Sequence, residues 1–212
     1  MMKKIVLIFS IFVFTTNIFA QINLQTGDLL FQVSKSTTLT DAIAQVTSGA
    51  DSVNYTHVGI VSVENDIVFV IEATTPKVRK VVIDTFLNDA RKVNGKPIVA
   101  LGRLQAKFFD FIPQAIVNAE KYIGKPYDYV YNPDNDEYYC SELVQISFLG
   151  KNNKPIFKTK KMTFRDENGR MSADWIEHFR KYKSPVPEGR KGTNPGAMSK
   201  AKEINIIYKY FD

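Results

Sequence analysis

The chain has 212 residues, 44% of them hydrophobic and 24% charged, with 11 Gly and 9 Pro. That supports one substantial core and excludes a disordered, collagen-like or multi-span membrane protein. A single Cys and two His rule out an internal disulfide and a Cys-rich zinc site, and no metal or organic cofactor is expected. The 28 Lys and Arg exceed the 22 Asp and Glu by six, so the placement of the excess matters.

Part of that excess sits at the N-terminus. Lys3 and Lys4 precede the run Ile5 to Phe14, apolar except for Ser10, and Thr15, Thr16 and Asn17 lead to Ala20. This pattern predicts an export signal over residues 1–20. The run is too short to span a bilayer comfortably, and no later segment has that character, so no stable membrane span is expected after cleavage. Removing it takes away two lysines and no acid, leaving +4. A mild positive charge favours anionic surfaces such as cell wall or lipid headgroups. Without a basic stripe interleaved with aromatics, nucleic acid is not an expected partner. The expected location is exported, either periplasmic or associated with the cell surface.

Beyond the signal, Gly27 to Val33 predicts a strand entered through a Gly-Asp turn. Leu39, Ala42, Ile43 and Val46 recur at helical spacing and predict a short helix closed by Gly49. His57 to Val63 and Ile67 to Ala73 predict two strands joined by Glu64, Asn65 and Asp66, an antiparallel hairpin. Strands are also predicted over 77–83 and 98–104, with a helical turn over 85–90. The period then changes. Ile112, Ile116, Ala119 and Ile123 predict a helix with Pro113 in its first turn and Gly124 at its stop. A Tyr-rich loop over 126–136 precedes a second helix starting at Tyr139 or Cys140 and ending at Gly150. Ser172 caps a helix over 173–179 with Trp175, Ile176 and Phe179 inward. The Pro- and Gly-rich stretch 184–199 predicts an extended surface arm within an irregular C-terminal region of about 180–212, and 204–210 an edge strand. Residues 21–212 are expected to form one α+β domain, a small antiparallel sheet packed against helices.

Three residues carry the strongest chemical pattern. Thiol catalysis needs a thiolate, a base or cation that generates it, and a polar group that fixes the imidazole. Cys140 is placed at a helix start, where unpaired N–H groups and the dipole favour an anionic sulfur and a nearby oxyanion. It is equally compatible with half-burial beside Leu143 and Val144. His57 opens an apolar strand, where a lone His is more often structural. If Glu64 and Asn65 form the turn, Glu72 lies directly across from His57, and a His partner would offset the cost of burying that carboxylate. Gly59 leaves room for a backbone or substrate to approach. Tyr55, Tyr127, Tyr139 and Ser141 are candidate pocket residues. Tyr129 and Tyr131 either wall a groove or hold the loop down. Glu142 suits the first turn of its helix, Asp28 shapes a turn, and His178 is read as structural.

The segments Gly27-Asp28-Leu29-Leu30-Phe31, Thr56-His57-Val58-Gly59-Ile60, Ile71-Glu72-Ala73, Gly124-Lys125-Pro126-Tyr127-Asp128 and Tyr139-Cys140-Ser141-Glu142-Leu143 together resemble a known family. It is the permuted papain-like cysteine amidases of the YiiX/YebB type, related to the NlpC-type cell-wall peptidases. The resemblance covers about residues 25–150. It implies a circularly permuted papain-like fold in which His57 and Glu72 precede Cys140 in sequence. By position it implies Cys140 as nucleophile, His57 as base and Glu72 as the group that orients the His. The expected function is hydrolysis of an amide in a small peptide, cell-wall derived, through an acyl-thioester and without a cofactor. The alternatives are a lipid thiol esterase or acyltransferase acting on acyl substrates, and a non-enzymatic binding protein on the same fold. Residues 151–212 carry no family signature and are expected to supply chain-specific substrate walls.

Overall fold

The computed structural model describes residues 23–212; the expected signal at 1–20 lies outside the described residues. The first half lays down β1 (Leu29–Gln32), α1 (Thr38–Val46), β2 (His57–Glu64), β3 (Ile67–Ala73), β4 (Val78–Val82) and α2 (Ile83–Asn88). A two-residue-strand hairpin, β5 (Lys92–Val93) with β6 (Lys96–Pro97), leads into β7 (Val99–Leu104). Then come α3 (Ile112–Glu120), α4 (Cys140–Ser147), β8 (Lys160–Lys161), α5 (Ala173–Lys181), β9 (Lys191–Gly192), α6 (Pro195–Ser199) and β10 (Ile204–Lys209). Helix starts follow the expected capping chemistry. Thr37 Oγ1 accepts from Thr40 N at 3.1 Å while Thr40 Oγ1 accepts from Thr37 N at 2.8 Å, a reciprocal cap at the head of α1.

Six strands form one antiparallel sheet in the order β10-β7-β1-β2-β3-β4. Strand alternation gives it two apolar faces. Leu29, Phe31, Val58, Ile60 and Ile71 pack on one side with Leu143 and Val144 of α4 and Ala115 and Ala119 of α3. Leu30, Val61 and Val70 pack on the other with Phe86 of α2. Asp28, at the mouth of β1, is held by a two-pronged pair with Arg103, Nε to Oδ1 at 2.7 Å and Nη2 to Oδ2 at 2.8 Å, and accepts from Gln25 N at 2.7 Å. It therefore shapes its turn, as read from sequence. The fold is the expected α+β arrangement of a small antiparallel sheet against helices.

Several expectations are corrected. The β2–β3 turn is Asn65-Asp66, with φ of 48° and 63°, the positive values that two-residue hairpin turns require. The register pairs Ile60 with Ile71 and Val61 with Val70, so Gly59, not His57, lies across from Glu72. His57 is two residues further along the same face and meets Glu72 diagonally. The space beside Gly59 is filled: a Cβ there would lie 2.4 Å from Val70 Cγ1 and 2.9 Å from Phe86 Cε2. Ile176 is exposed, whereas Trp175 and Phe179 are buried, because the buried stripe of α5 is narrower than the sequence suggested. Ile123 falls beyond the end of α3 and is exposed. The stretch 184–199 is not a surface arm. It contains β9 and α6, and Pro195, Gly196, Met198 and Ser199 are buried. Ser199 Oγ accepts from Ala50 N at 2.9 Å and donates to Gly196 O at 2.7 Å.

Candidate active site

Cys140 is the first residue of α4, preceded by Tyr139 in extended conformation. Glu142 Oε2 reaches back to accept from Tyr139 N at 3.4 Å, which fixes the helix entry. The first N–H groups of the helix thus converge beside the sulfur. α4 packs across β2 and β3, and this brings Cys140 to the start of β2, where His57 sits.

His57 is bound on its Nε2 side by Glu72 Oε2, leaving Nδ1 as the nitrogen available to Cys140. Burial disfavours the imidazolium, but the polar contacts with Cys140 and Glu72 outweigh it and raise the His57 pKa to about 10. Its ring lies against Phe86, with centroids 5.7 Å apart. Gln32 faces His57 across β1–β2 and is itself fixed, donating from Nε2 to Phe86 O at 2.7 Å and accepting from Ser34 Oγ at 3.0 Å.

Glu72 has a second partner that the sequence did not reveal. Arg79 faces it across β3–β4 and donates from Nε to Glu72 Oε1 at 2.8 Å, while its Nη2 reaches Asp89 Oδ2 at 2.8 Å. Burial raises the carboxyl's proton affinity, but His57 and Arg79 more than offset it, and the Glu72 pKa lies below the usual value. The result is a chain from the buried sulfur, imidazole and carboxylate out to a partly exposed guanidinium. Each charge has an opposite neighbour, as buried ions need.

A cavity of about 60 Å³ opens beside Cys140, with Tyr127, Tyr139 and Ser141 among its walls. Tyr55 is not among them; it is buried against Phe31 with ring centroids 5.9 Å apart, because the turn before β2 directs it into the core. The far wall comes from the chain after residue 150: Met162, Phe164, Trp175, Thr193 and Asn194. This roof is tied to the Cys helix. Tyr139 Oη accepts from Thr193 N at 3.1 Å, and Thr193 Oγ1 donates to Ser141 Oγ at 3.0 Å. Ser141 therefore anchors the roof. The roof leaves Cys140 only 5% exposed.

Two further acids lie behind the site. Asp128 accepts from Val130 N at 2.8 Å and Asn132 N at 2.6 Å, which pins the Tyr-rich loop. Burial, then repulsion from Asp128, push the Glu142 pKa up to about 8. His178 is apart from all this. Its Nε2 donates to Tyr129 O at 2.6 Å, and burial lowers its pKa, in keeping with the structural role read from sequence.

Comparison with known proteins places this arrangement. Residues 23–208 match the family described as permuted papain-like amidase enzyme, YaeF/YiiX, C92 family. YiiX of Escherichia coli (strain K12) is 31% identical over 122 residues, 57% of this chain and 55% of that protein, so the aligned stretch spans about half the length of that curated relative. A crystal structure of yiiX from Escherichia coli O157:H7, described as a metalloprotein, has the same fold. Its TM-score is 0.72 at 22% identity, covering 89% of this chain and 98% of that one. Among the described residues of the present chain, no three His, Cys, Asp or Glu side chains cluster to hold a metal ion.

Proposed function

The chain belongs to the YaeF/YiiX (C92) family of permuted papain-like amidases; from that premise we propose that it is a cysteine-type hydrolase that cleaves an amide in a small, cell-wall-derived peptide through a thioester on Cys140. The observation that carries this is the buried relay Cys140–His57–Glu72, held from outside by Arg79. Cys140 sulfur, as thiolate paired with the His57 imidazolium, attacks the amide carbonyl. The C–S bond forms, and the oxyanion is received by the backbone N–H of Cys140 at the helix start. His57 passes its proton to the leaving amine as the C–N bond breaks. It then takes a proton from water as that water attacks the thioester; the C–S bond breaks, the acyl group leaves as the carboxylic acid, and the thiolate–imidazolium pair is restored. Glu72, itself held by Arg79, keeps the imidazole oriented. Contacts of this kind tighten when substrate binds.

A small substrate is supported by the cavity of about 60 Å³, which is not the wide apolar groove that a lipid acyltransferase would use. Burial of Cys140 by itself suits an inert Cys in a binding protein; the enzyme reading is supported by the sulfur bordering a cavity and by the polar contact of His57 with it. We place the reaction outside the cytoplasm on the strength of the N-terminal pattern. Among the described residues no helix is long and apolar enough to cross a membrane.

The test is rapid acid quench of a reaction with a short wall-type peptide, followed by peptide mapping. The expected result is an acyl mass on the peptide containing Cys140 that hydroxylamine discharges. Turnover that persists when Cys140 is replaced, or the absence of both adduct and turnover, overturns it.

A further inference from the structure

Two buried polar atoms near the sulfur have no hydrogen-bond partner: Trp175 Nε1 and Tyr131 Oη. Buried polar groups are nearly always paired, and leaving one unpaired is costly. Trp175 is 1% exposed and Tyr131 is 7% exposed. Their rings are in edge contact, with centroids 5.8 Å apart. The Tyr127 hydroxyl is a close polar neighbour of Tyr131 without the geometry that would satisfy it. Both residues wall the cavity that also borders Cys140, so the cavity is where a partner can enter.

The indole N–H can only donate, so the missing partner is an acceptor. No Lys, Arg or His is among the cavity walls, and Asp128 places negative charge nearby. An anionic acceptor would find no counter-charge there, whereas a neutral carbonyl oxygen would need none. A cavity holds a water once it offers about 10–15 Å³ of accessible space, so about 60 Å³ leaves room for a small group such as an acetyl or amide. The remaining walls, among them Ile43, Met162 and Phe164, suit its apolar part.

We propose that this cavity is the subsite for the acyl half of the substrate, and that Trp175 and Tyr131 select a short uncharged acyl group bearing a carbonyl acceptor, such as an N-acylaminoacyl group, over a hydrocarbon chain or a carboxylate. The proposal rests on the thioester reading above and adds the substrate class. Trp175 lies within the family match of residues 23–208 but away from the segments around His57, Glu72 and Cys140, and it determines specificity rather than bond cleavage.

The experiment compares acylation of Cys140 by 4-nitrophenyl esters of N-acetylglycine, pentanoic acid and succinic acid, followed by intact mass. In each case the C–S bond forms as nitrophenolate leaves. Rates are divided by those with a free small-molecule thiol to remove intrinsic reactivity. Wild type is expected to prefer N-acetylglycyl over both others by about tenfold or more, the size of one lost buried hydrogen bond. Trp175→Phe, and separately the milder Tyr131→Phe, should reduce that preference. A preference that survives both substitutions, or equal rates for the three esters, overturns the proposal.

If Cys140 takes no acyl group at all, the thioester reading fails, and the subsite is decided by binding. Trp175 is the only Trp in the chain, so its emission reports the cavity directly. In Cys140→Ala, N-acetylglycinamide should shift that emission and n-pentane, which has no acceptor, should not. Equal responses, or none to either, refute the subsite.

Discussion

Cys140→Ser retains the fold and loses amide hydrolysis by roughly 10³- to 10⁶-fold, the range seen when a nucleophile is removed from a site acting as a unit. The substitution changes little sterically at a side chain already enclosed by α4, β2 and the roof. What changes is the acid. A serine hydroxyl next to an imidazolium stays protonated at neutral pH, whereas a thiol gives up its proton to form the attacking ion. Thermal unfolding measured beside turnover separates the two effects. The midpoint should move little while activity disappears. Activity within tenfold of wild type would mean that the sulfur is not the attacking atom.

Glu72→Gln should lower kcat by roughly 10²- to 10⁴-fold, as when the orienting carboxylate of a comparable relay is made neutral. It should also move the alkaline limb of the pH profile down by about one unit or more, since an opposite charge at contact distance contributes that much. In wild type the polar contacts with Cys140 and Glu72, against the opposing effect of burial, carry the His57 pKa from 6.5 to about 10. Removing the carboxylate leaves Arg79, still paired with Asp89, as an uncompensated neighbour that disfavours a second cation.

The same shifts set the sign of the stability profile. His57 binds its proton more tightly folded than unfolded. Its contribution is fully present below 6.5 and is lost as pH rises toward about 10. The Glu72 pKa is lowered, so its contribution is present above the ordinary 4.5 and is lost as pH falls through the folded value. Wild type therefore gains most from this pair between about pH 4.5 and 6.5. In Glu72→Gln both slopes should flatten, which denaturant midpoints across pH can show. An alkaline limb and slopes identical to wild type would detach Glu72 from His57.

The hairpin and the placing of His57 and Glu72 on it were readable because local rules fix them. Alternation placed His57 and Glu72 on one face, and that face survives a two-residue slip. The exact turn was not fixed locally, since Glu64-Asn65 and Asn65-Asp66 both look like turns. Only the second puts two residues tolerant of positive φ at its centre. Arg79 was invisible for a different reason. Its pairing with Glu72 depends on how β4 docks against β3 across a four-residue link, and nothing in that link announces a register. The roof was the least legible part. Pro185, Pro187, Gly189, Gly192, Pro195 and Gly196 state that the chain turns, but not that Thr193 returns to Tyr139 and Ser141. Tyr55 misled in the opposite way: two positions from His57 suggested the pocket, but the bend before β2 sends it to the core. Trp175 was correctly placed on the inner side of its helix, yet its unpaired N–H emerges only when the residues around it are assembled.

The relay between His57 and Cys140 is the central claim, and alkylation of the chain's single Cys tests it most directly. Wild type and His57→Ala would be treated with iodoacetamide over a pH series and followed by intact mass. The relay predicts rapid modification of wild type at pH 6, where a free thiol reacts slowly, and a marked slowing in His57→Ala at the same pH. Equal rates in the two proteins at every pH, rising only as a free thiol would, would show that His57 does not activate Cys140.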